Sequence, residues 1–335
     1  MRRRADRGES GEDRLIARYF KPIARHPGAF GLADDAAVLA PPPGHELVLK
    51  TDAIVGGVHF FLDDPPETVA RKALRVNLSD LAAKGSKPVG FLLSIALPKG
   101  IKPGWLEAFA RGLGADARRY DCPLFGGDTV ATPGPVTISI AAFGTLPEGT
   151  MVRRAGARAG HRIVVTGTIG DAALGLRLRH DGRAAKRWTL DARMRRHLAA
   201  RYLVPEPRNA LAEALRLHAS AGMDVSDGLA GDLGKLCRAS GVGAEVDVAR
   251  VPLSQAARKA LAAEPKLIEP MLTGGDDFEV VATVPPAALD VLLATARAVR
   301  VPLAEIGRVV AAKGVRFRAP EGRTLSFAHA SFSHF

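Results

Sequence analysis

The sequence predicts an α+β protein of two domains, and three observations carry that prediction. At 335 residues the chain is long enough for about two domains, each with its own core. Apolar residues make up 47% and charged residues 24%, the balance of a folded chain and not of a disordered one. Segments of helical and strand period follow one another without the strict βαβ alternation of a doubly wound sheet.

Gly11 to Ala24 places Leu15, Ile16, Tyr19, Phe20 and Ile23 at helical spacing, an amphipathic helix stopped by Pro27-Gly28. Apolar runs at Ala37–Leu39 and Leu47–Thr51 flank Pro41-Pro42-Pro43-Gly44 and read as two strands around a turn. Pro66 to Lys84 has a helical period, with proline in its first turn and Gly85 after its last. Val89–Leu97 is too short for the roughly 20 residues of a membrane span and reads as a buried strand. Pro103 to Tyr120 reads as a helix, and Pro123–Phe125 and Val136–Phe143 as strands. After Pro147-Glu148-Gly149, a basic, glycine-spaced segment precedes a strand at Arg162–Thr166, which sets the expected boundary: one domain over 1–150, a second over 151–335. Beyond it helices are expected from Gly170, from about Leu190, over Arg208–Ala219 and from Leu229. Strands are expected up to Val225 and at Ala244–Val248, Phe278–Val284 and Ala304–Val310.

Lysine and arginine number 47 against 35 acidic residues, and the resulting +12 invites nucleic acid, a membrane or a phosphorylated metabolite as partner. Aromatics at 5% leave few rings to stack on bases, and no zinc-finger or RNP pattern occurs. A basic nucleic-acid-binding protein therefore stands only as the alternative from another class. Cys122 and Cys237 lack Cys-x-x-Cys or Cys/His spacing, which encodes neither a disulfide framework nor a zinc site and fits a reducing cytoplasm. Met1-Arg2-Arg3-Arg4 runs into Ala5-Asp6-Arg7 and not into an apolar segment, so neither a secretion signal nor membrane association is expected.

No P-loop and no Gly-x-Gly-x-x-Gly after a strand is present. Aspartate recurs instead beside glycine, serine or threonine at expected strand ends or turns. The instances are Asp34-Asp35, Thr51-Asp52, Ser79-Asp80, Gly126-Gly127-Asp128, Asp224-Val225-Ser226-Asp227-Gly228 and Gly274-Gly275-Asp276-Asp277. Any one alone reads as a turn or helix cap. Six such loops suit Mg²⁺, a hard ion that takes carboxylate, phosphate and water oxygens. The glycines, lacking Cβ, permit close approach to a ligand or positive φ in a tight turn.

In order along the chain these residues resemble the thiamine-monophosphate kinase family, within the superfamily of aminoimidazole ribonucleotide synthetase. The resemblance runs from Leu15-Ile16-Ala17-Arg18-Tyr19-Phe20 through Thr51–Phe60, Lys72–Ala83 and Leu124–Thr129. It continues through Val165–Asp171 and Asp224–Gly228 to His334-Phe335. It implies two α+β domains of the synthetase-like architecture, with the N-terminal halves forming a shared barrel in a homodimer. It also implies phosphorylation of thiamine monophosphate to thiamine diphosphate, with ATP as co-substrate and several Mg²⁺ ions. By motif match Asp35, Thr51, Asp52, Asp80, Asp128, Asp224 and Asp227 fall on metal positions, and Gly127, Asp128, Arg154 and Ser226 on nucleotide positions. His59 matches a position that contacts thiamine phosphate, and Asp276 and Phe332 match positions holding the thiamine part. Asp128 and Arg154 are then the expected catalytic residues. Another ATP-using enzyme of the superfamily, acting on a different phosphorylated substrate, is the nearer alternative.

Four departures mark this chain. Lys50 precedes Thr51-Asp52 where the family usually has Ser or Thr, and an ammonium has no oxygen to offer a metal. Lys50 either supplies part of that ion's charge itself or turns outward. Asp276 replaces a usual Glu, Phe332 a frequent Tyr, and Leu32-Ala33 a usual Ile-Gly.

Overall fold

The computed structural model describes residues 11–329 and 331. They divide into two compact units: residues up to Asn77 with Pro88–Thr145 form the first, and Leu78–Lys87 with Leu146 onward the second.

Unit 1 opens with a helical segment that changes pitch, α1 (Gly11–Leu15) passing into a π turn at Ile16–Phe20 and a 3-10 turn at Lys21–Ile23. Its apolar stripe buries Phe20 and Ile23, and Pro22, with no amide hydrogen, interrupts the regular bonding. The strand expected at Ala37–Leu39 does not form, because the prolines at 41–43 have no N–H to give a ladder; Val38 instead donates to the Gly28 carbonyl at 2.8 Å. β1 (His45–Val55) follows, then α2 (Pro66–Ala83), β2 (Lys87–Pro98), α3 (Pro103–Arg119), β3 (Leu124–Thr132) and β4 (Thr137–Pro147). The four strands make one sheet in the order β1-β4-β2-β3. Alternation along β2 buries Phe91, Leu93, Ile95 and Leu97 and exposes Leu92 and Ser94. A buried ion pair ties α2 to α3, Arg75 Nη2 donating to Asp116 Oδ1 at 2.9 Å.

β3 corrects the sequence reading most. It runs straight through Gly126-Gly127-Asp128, where a strand ending at Phe125 and then a loop had been expected. A Cβ on Gly127 would lie 1.8 Å from the Leu93 carbonyl oxygen of the parallel neighbour β2, so the two strands can close here only over glycine.

Unit 2 contains β5 (Arg162–Thr166), α4 (Asp171–His180), α5 (Ala184–Arg187), α6 (Ala192–Leu203), α7 (Ala212–His218), β6 (Ala221–Val225), α8 (Leu229–Ser240) and β7 (Gly243–Asp247). It continues with α9 (Gln255–Ala263), α10 (Ile268–Thr273), β8 (Glu279–Val284), α11 (Leu289–Ala298), β9 (Leu303–Val310), β10 (Gly314–Arg318) and β11 (Thr324–Leu325). The seven strands order as β11-β10-β7-β9-β5-β8-β6, antiparallel throughout except for the parallel pair β10 and β7.

Strand β8 is buried at every position. Val280, Ala282 and Val284 pack with Leu211, Leu215 and Leu292, on the side of α7 and α11. Val281 joins Met223, Leu229 and Leu233, on the side of α8. Each such valine, leucine or methionine contributes roughly 1.5–3 kcal/mol on full burial, so the strand that follows the Asp276 loop is a firm support. Among the described residues no helix is long and apolar enough to cross a membrane.

Candidate functional site

The described site residues are divided between the two units, and only some of them come together within each. In unit 1 a cavity of about 750 Å³ is lined by Asp34, Asp35, Ser94, Gly127 and Asp128 together with apolar side chains. Asp35 lies on the loop after the 3-10 segment Pro27–Leu32. Register places Asp128 on β3 opposite Ser94 of β2, and both side chains are on the exposed face of the sheet. Thr51 and Asp52 lie outside the cavity's lining, and the alternation of β1 separates them. Thr51 shares a face with exposed Leu47 and Leu49; Asp52 shares the other with Val48, Lys50 and Ile54. Lys50 Nζ is 2.9 Å from Asp52 Oδ1.

His59 occupies the tight loop after β1. Its Nδ1 accepts the Val55 N–H at 3.0 Å, and its carbonyl accepts a hydrogen bond from Lys72 Nζ at 2.9 Å. An imidazole whose Nδ1 accepts carries its proton on Nε2, leaving that nitrogen as a donor.

In unit 2 the turn after β6 meets the loop before β8. The Asp276 N–H donates to the Ser226 carbonyl at 2.9 Å and the Phe278 N–H to the Val225 carbonyl at 2.8 Å. The second loop is strained, with φ of +71° at Asp276 and +49° at Phe278, values that non-glycine residues seldom adopt. Asp277 between them anchors it: its fully buried carboxyl accepts the Gly170 N–H at 2.7 Å and the Ala172 N–H at 3.3 Å, at the start of α4. Burial pushes that carboxyl well above the ordinary carboxylate range. Next along the chain, buried Glu279 receives Arg201 and Arg208. Ser79 Oγ donates to the Phe278 carbonyl at 3.3 Å, so Asp80 is the neighbour of a residue fixed to this loop. Asp224 lies buried within β6, opposite Val280.

Asp227 is held by a lysine that the sequence reading did not single out. Lys235 Nζ contacts Asp227 Oδ2 and, at 2.8 Å, Oδ1 of fully buried Asp232, whose other oxygen accepts the Asp227 N–H at 2.9 Å. Burial raises the Asp232 carboxyl above its ordinary value. Burial alone would lower the Lys235 ammonium, but its bonds to Asp227 and Asp232 outweigh it and the net direction is up. The spacing of Asp232 and Lys235, three apart on one helix, was the available signal. Arg154 is exposed; its carbonyl accepts a bond from Ser240 Oγ at 3.0 Å, while the adjacent Arg153 carbonyl accepts the Gly222 N–H on β6 at 2.9 Å. Phe332 lies outside the described residues.

Residues 33–146 match the family model "AIR synthase related protein, N-terminal domain" and 158–319 its C-terminal counterpart. The chain is 44% identical over 304 residues to the thiamine-monophosphate kinase of Caulobacter vibrioides, covering 90% of this chain and 84% of that one. The chain belongs to the thiamine-monophosphate kinase family. In crystal form, the thiamine-monophosphate kinase of Stenotrophomonas maltophilia superposes with a TM-score of 0.82 at 37% identity, covering 93% of this chain and 96% of that one. The complex of AaThiL with AMPPCP and TMP superposes with a TM-score of 0.75 at 30% identity, covering 92% and 97%. Both domains expected for this kinase family are thus present, each with mixed helix and sheet.

Proposed function

We propose that this chain transfers the terminal phosphoryl group of ATP to the phosphate of thiamine monophosphate, releasing ADP and thiamine diphosphate. The observation that carries this reading is its likeness, over 92% of its length, to a relative held with AMPPCP and TMP. The acceptor is a phosphate oxygen already ionised near neutral pH, so no general base has to remove a proton. The difficulty is the approach of two anions, and it is met by positioning and by positive charge.

Asp35, Thr51, Asp52 and Asp128 in unit 1, with Asp80, Asp224 and Asp227 in unit 2, are the proposed metal positions. Among the described residues no three His, Cys, Asp or Glu side chains converge into a closed metal cage. The donors present are carboxylate and hydroxyl oxygens, which fit Mg²⁺, an ion usually held by one or two carboxylates and otherwise by phosphate and water oxygens. Bound there, Mg²⁺ would supply neutralisation of the phosphate charge. Arg154 offers an exposed fork to a nucleotide phosphate, and Gly127 and Ser226 are the other proposed nucleotide positions. His59, whose Nδ1 accepts the Val55 N–H, is the proposed contact to thiamine monophosphate. The Asp276 N–H bond to the Ser226 carbonyl supports reading Asp276 as the thiamine-side carboxylate next to the nucleotide turn, with Phe332 as the ring the resemblance assigns to the thiamine part.

The same reading includes a homodimer in which the unit 1 sheets combine into a barrel. Leu47, Leu49, Leu92 and Val130 form exposed apolar points on β1, β2 and β3, surface that a second copy would cover. A cytoplasmic location belongs with it: both thiols are buried, with burial pushing Cys122 up to about 12 and Cys237 up to about 11, so neither is poised for redox chemistry. Incubating the protein with ATP, Mg²⁺ and thiamine monophosphate tests the activity by its products, and light scattering tests the dimer by its mass.

A further inference from the structure

Arg201, near the end of α6, is almost wholly buried, and its Nη2 donates both to the Asp277 carbonyl at 2.9 Å and to Glu279 Oε1 at 2.8 Å. Glu279 does not depend on it. Arg208 forks onto the same carboxylate, Nε at 2.6 Å and Nη2 at 2.5 Å, and Thr166 Oγ1 donates to Oε2 at 2.7 Å. A second guanidinium there loses hydration that its attraction to a carboxylate already paired does little to offset. Arg201 Nε, also buried, finds no acceptor among the described residues. What Arg201 adds is a charged donor to the main chain at Asp277, between the two positive-φ residues Asp276 and Phe278. Backbone in that region persists only where its surroundings over-determine it, and a bond from an ionised donor is among the stronger means of doing so.

We propose that Arg201 is a positioning residue for the thiamine-side loop. By holding the Asp277 carbonyl it fixes the left-handed turn at Asp276 and so sets the affinity for thiamine monophosphate, without itself touching substrate. This rests on the reading of Asp276 as a thiamine-side residue.

Steady-state kinetics of the full chain test it. Arg201→Met should raise KM for thiamine monophosphate about 10-fold or more, while kcat and KM for ATP stay within about twofold. Arg201→Gln, a second uncharged variant that keeps a polar end beside Glu279, should show the same rise. Arg201→Lys, whose ammonium can stand where Nη2 stands, should recover most of the lost affinity. Because the effect runs through Asp276, Arg201→Met should add no further rise in an Asp276→Ala background. Asp191→Ala separates this role from general weakening of α6. It removes the cap bond from the Met194 N–H at 2.7 Å, and should lower the unfolding midpoint while leaving both KM values unchanged. A KM for thiamine monophosphate that Arg201→Met and Arg201→Gln leave unchanged would overturn the proposal. So would an equal rise with and without Asp276, or the same rise in Asp191→Ala. Absence of thiamine diphosphate from the unmodified protein would refute the kinase reading, and the proposal with it.

Discussion

The Asp276 amide donates to the Ser226 carbonyl at 2.9 Å, joining a proposed thiamine-side residue to a proposed nucleotide-side residue through backbone alone. Gly275 makes this approach possible, since a Cβ there would lie 2.4 Å from the Ser226 oxygen. Gly275→Ala should push the loops apart, cost about 1–3 kcal/mol in denaturant unfolding, and raise KM for thiamine monophosphate. Unchanged stability and KM would show that the two loops do not need this contact.

Lys235 is expected to matter for folding before it matters for activity. Lys235→Met leaves fully buried Asp232 without its ammonium, at a cost of about 3–5 kcal/mol at neutral pH. The Asp232 carboxyl is already raised by burial, so the folded state binds its proton more readily than the unfolded chain does. Stability of the variant should therefore recover as pH falls from 7 towards the ordinary carboxylate value of 3.8. A loss that stayed constant over that range, measured by urea unfolding, would contradict the assignment.

Asp171 predicts the opposite slope. Burial raises this carboxyl, but hydrogen bonds from His197, Ser254 and Thr168 outweigh that and hold it below its ordinary 3.8. Its contribution is therefore complete above that value and is lost as pH falls through the lower folded one. Asp171→Asn should be less stable by about 1–3 kcal/mol at neutral pH, and should lose less further stability than the unmodified protein between about pH 4 and pH 2. Parallel acid-unfolding profiles would rule this out.

What the sequence left unread has specific physical causes. Helix and strand periods placed α2, α3, β2 and β5 closely, because each has one apolar stripe or run. Gly126-Gly127-Asp128 reads as a strand end or turn, since nothing local reveals that β2 passes within reach of the Gly127 Cα. Thr51 and Asp52 were paired as neighbours in sequence, yet a strand sends them to opposite faces. Glu279 and Arg201 carry no local signal, and Asp277 reads only as part of an aspartate motif, because their bonds join segments distant along the chain. The aspartate positions themselves were legible as motifs; what holds them was not.

The most direct test of the central claim is product analysis of the purified chain with ATP, Mg²⁺ and thiamine monophosphate. Thiamine diphosphate and ADP should appear in equal amounts. Asp128→Asn, at an exposed strand position, should keep its thermal unfolding midpoint while lowering turnover on the order of 100-fold or more. ATP consumption without thiamine diphosphate, or full turnover by Asp128→Asn, would contradict the account.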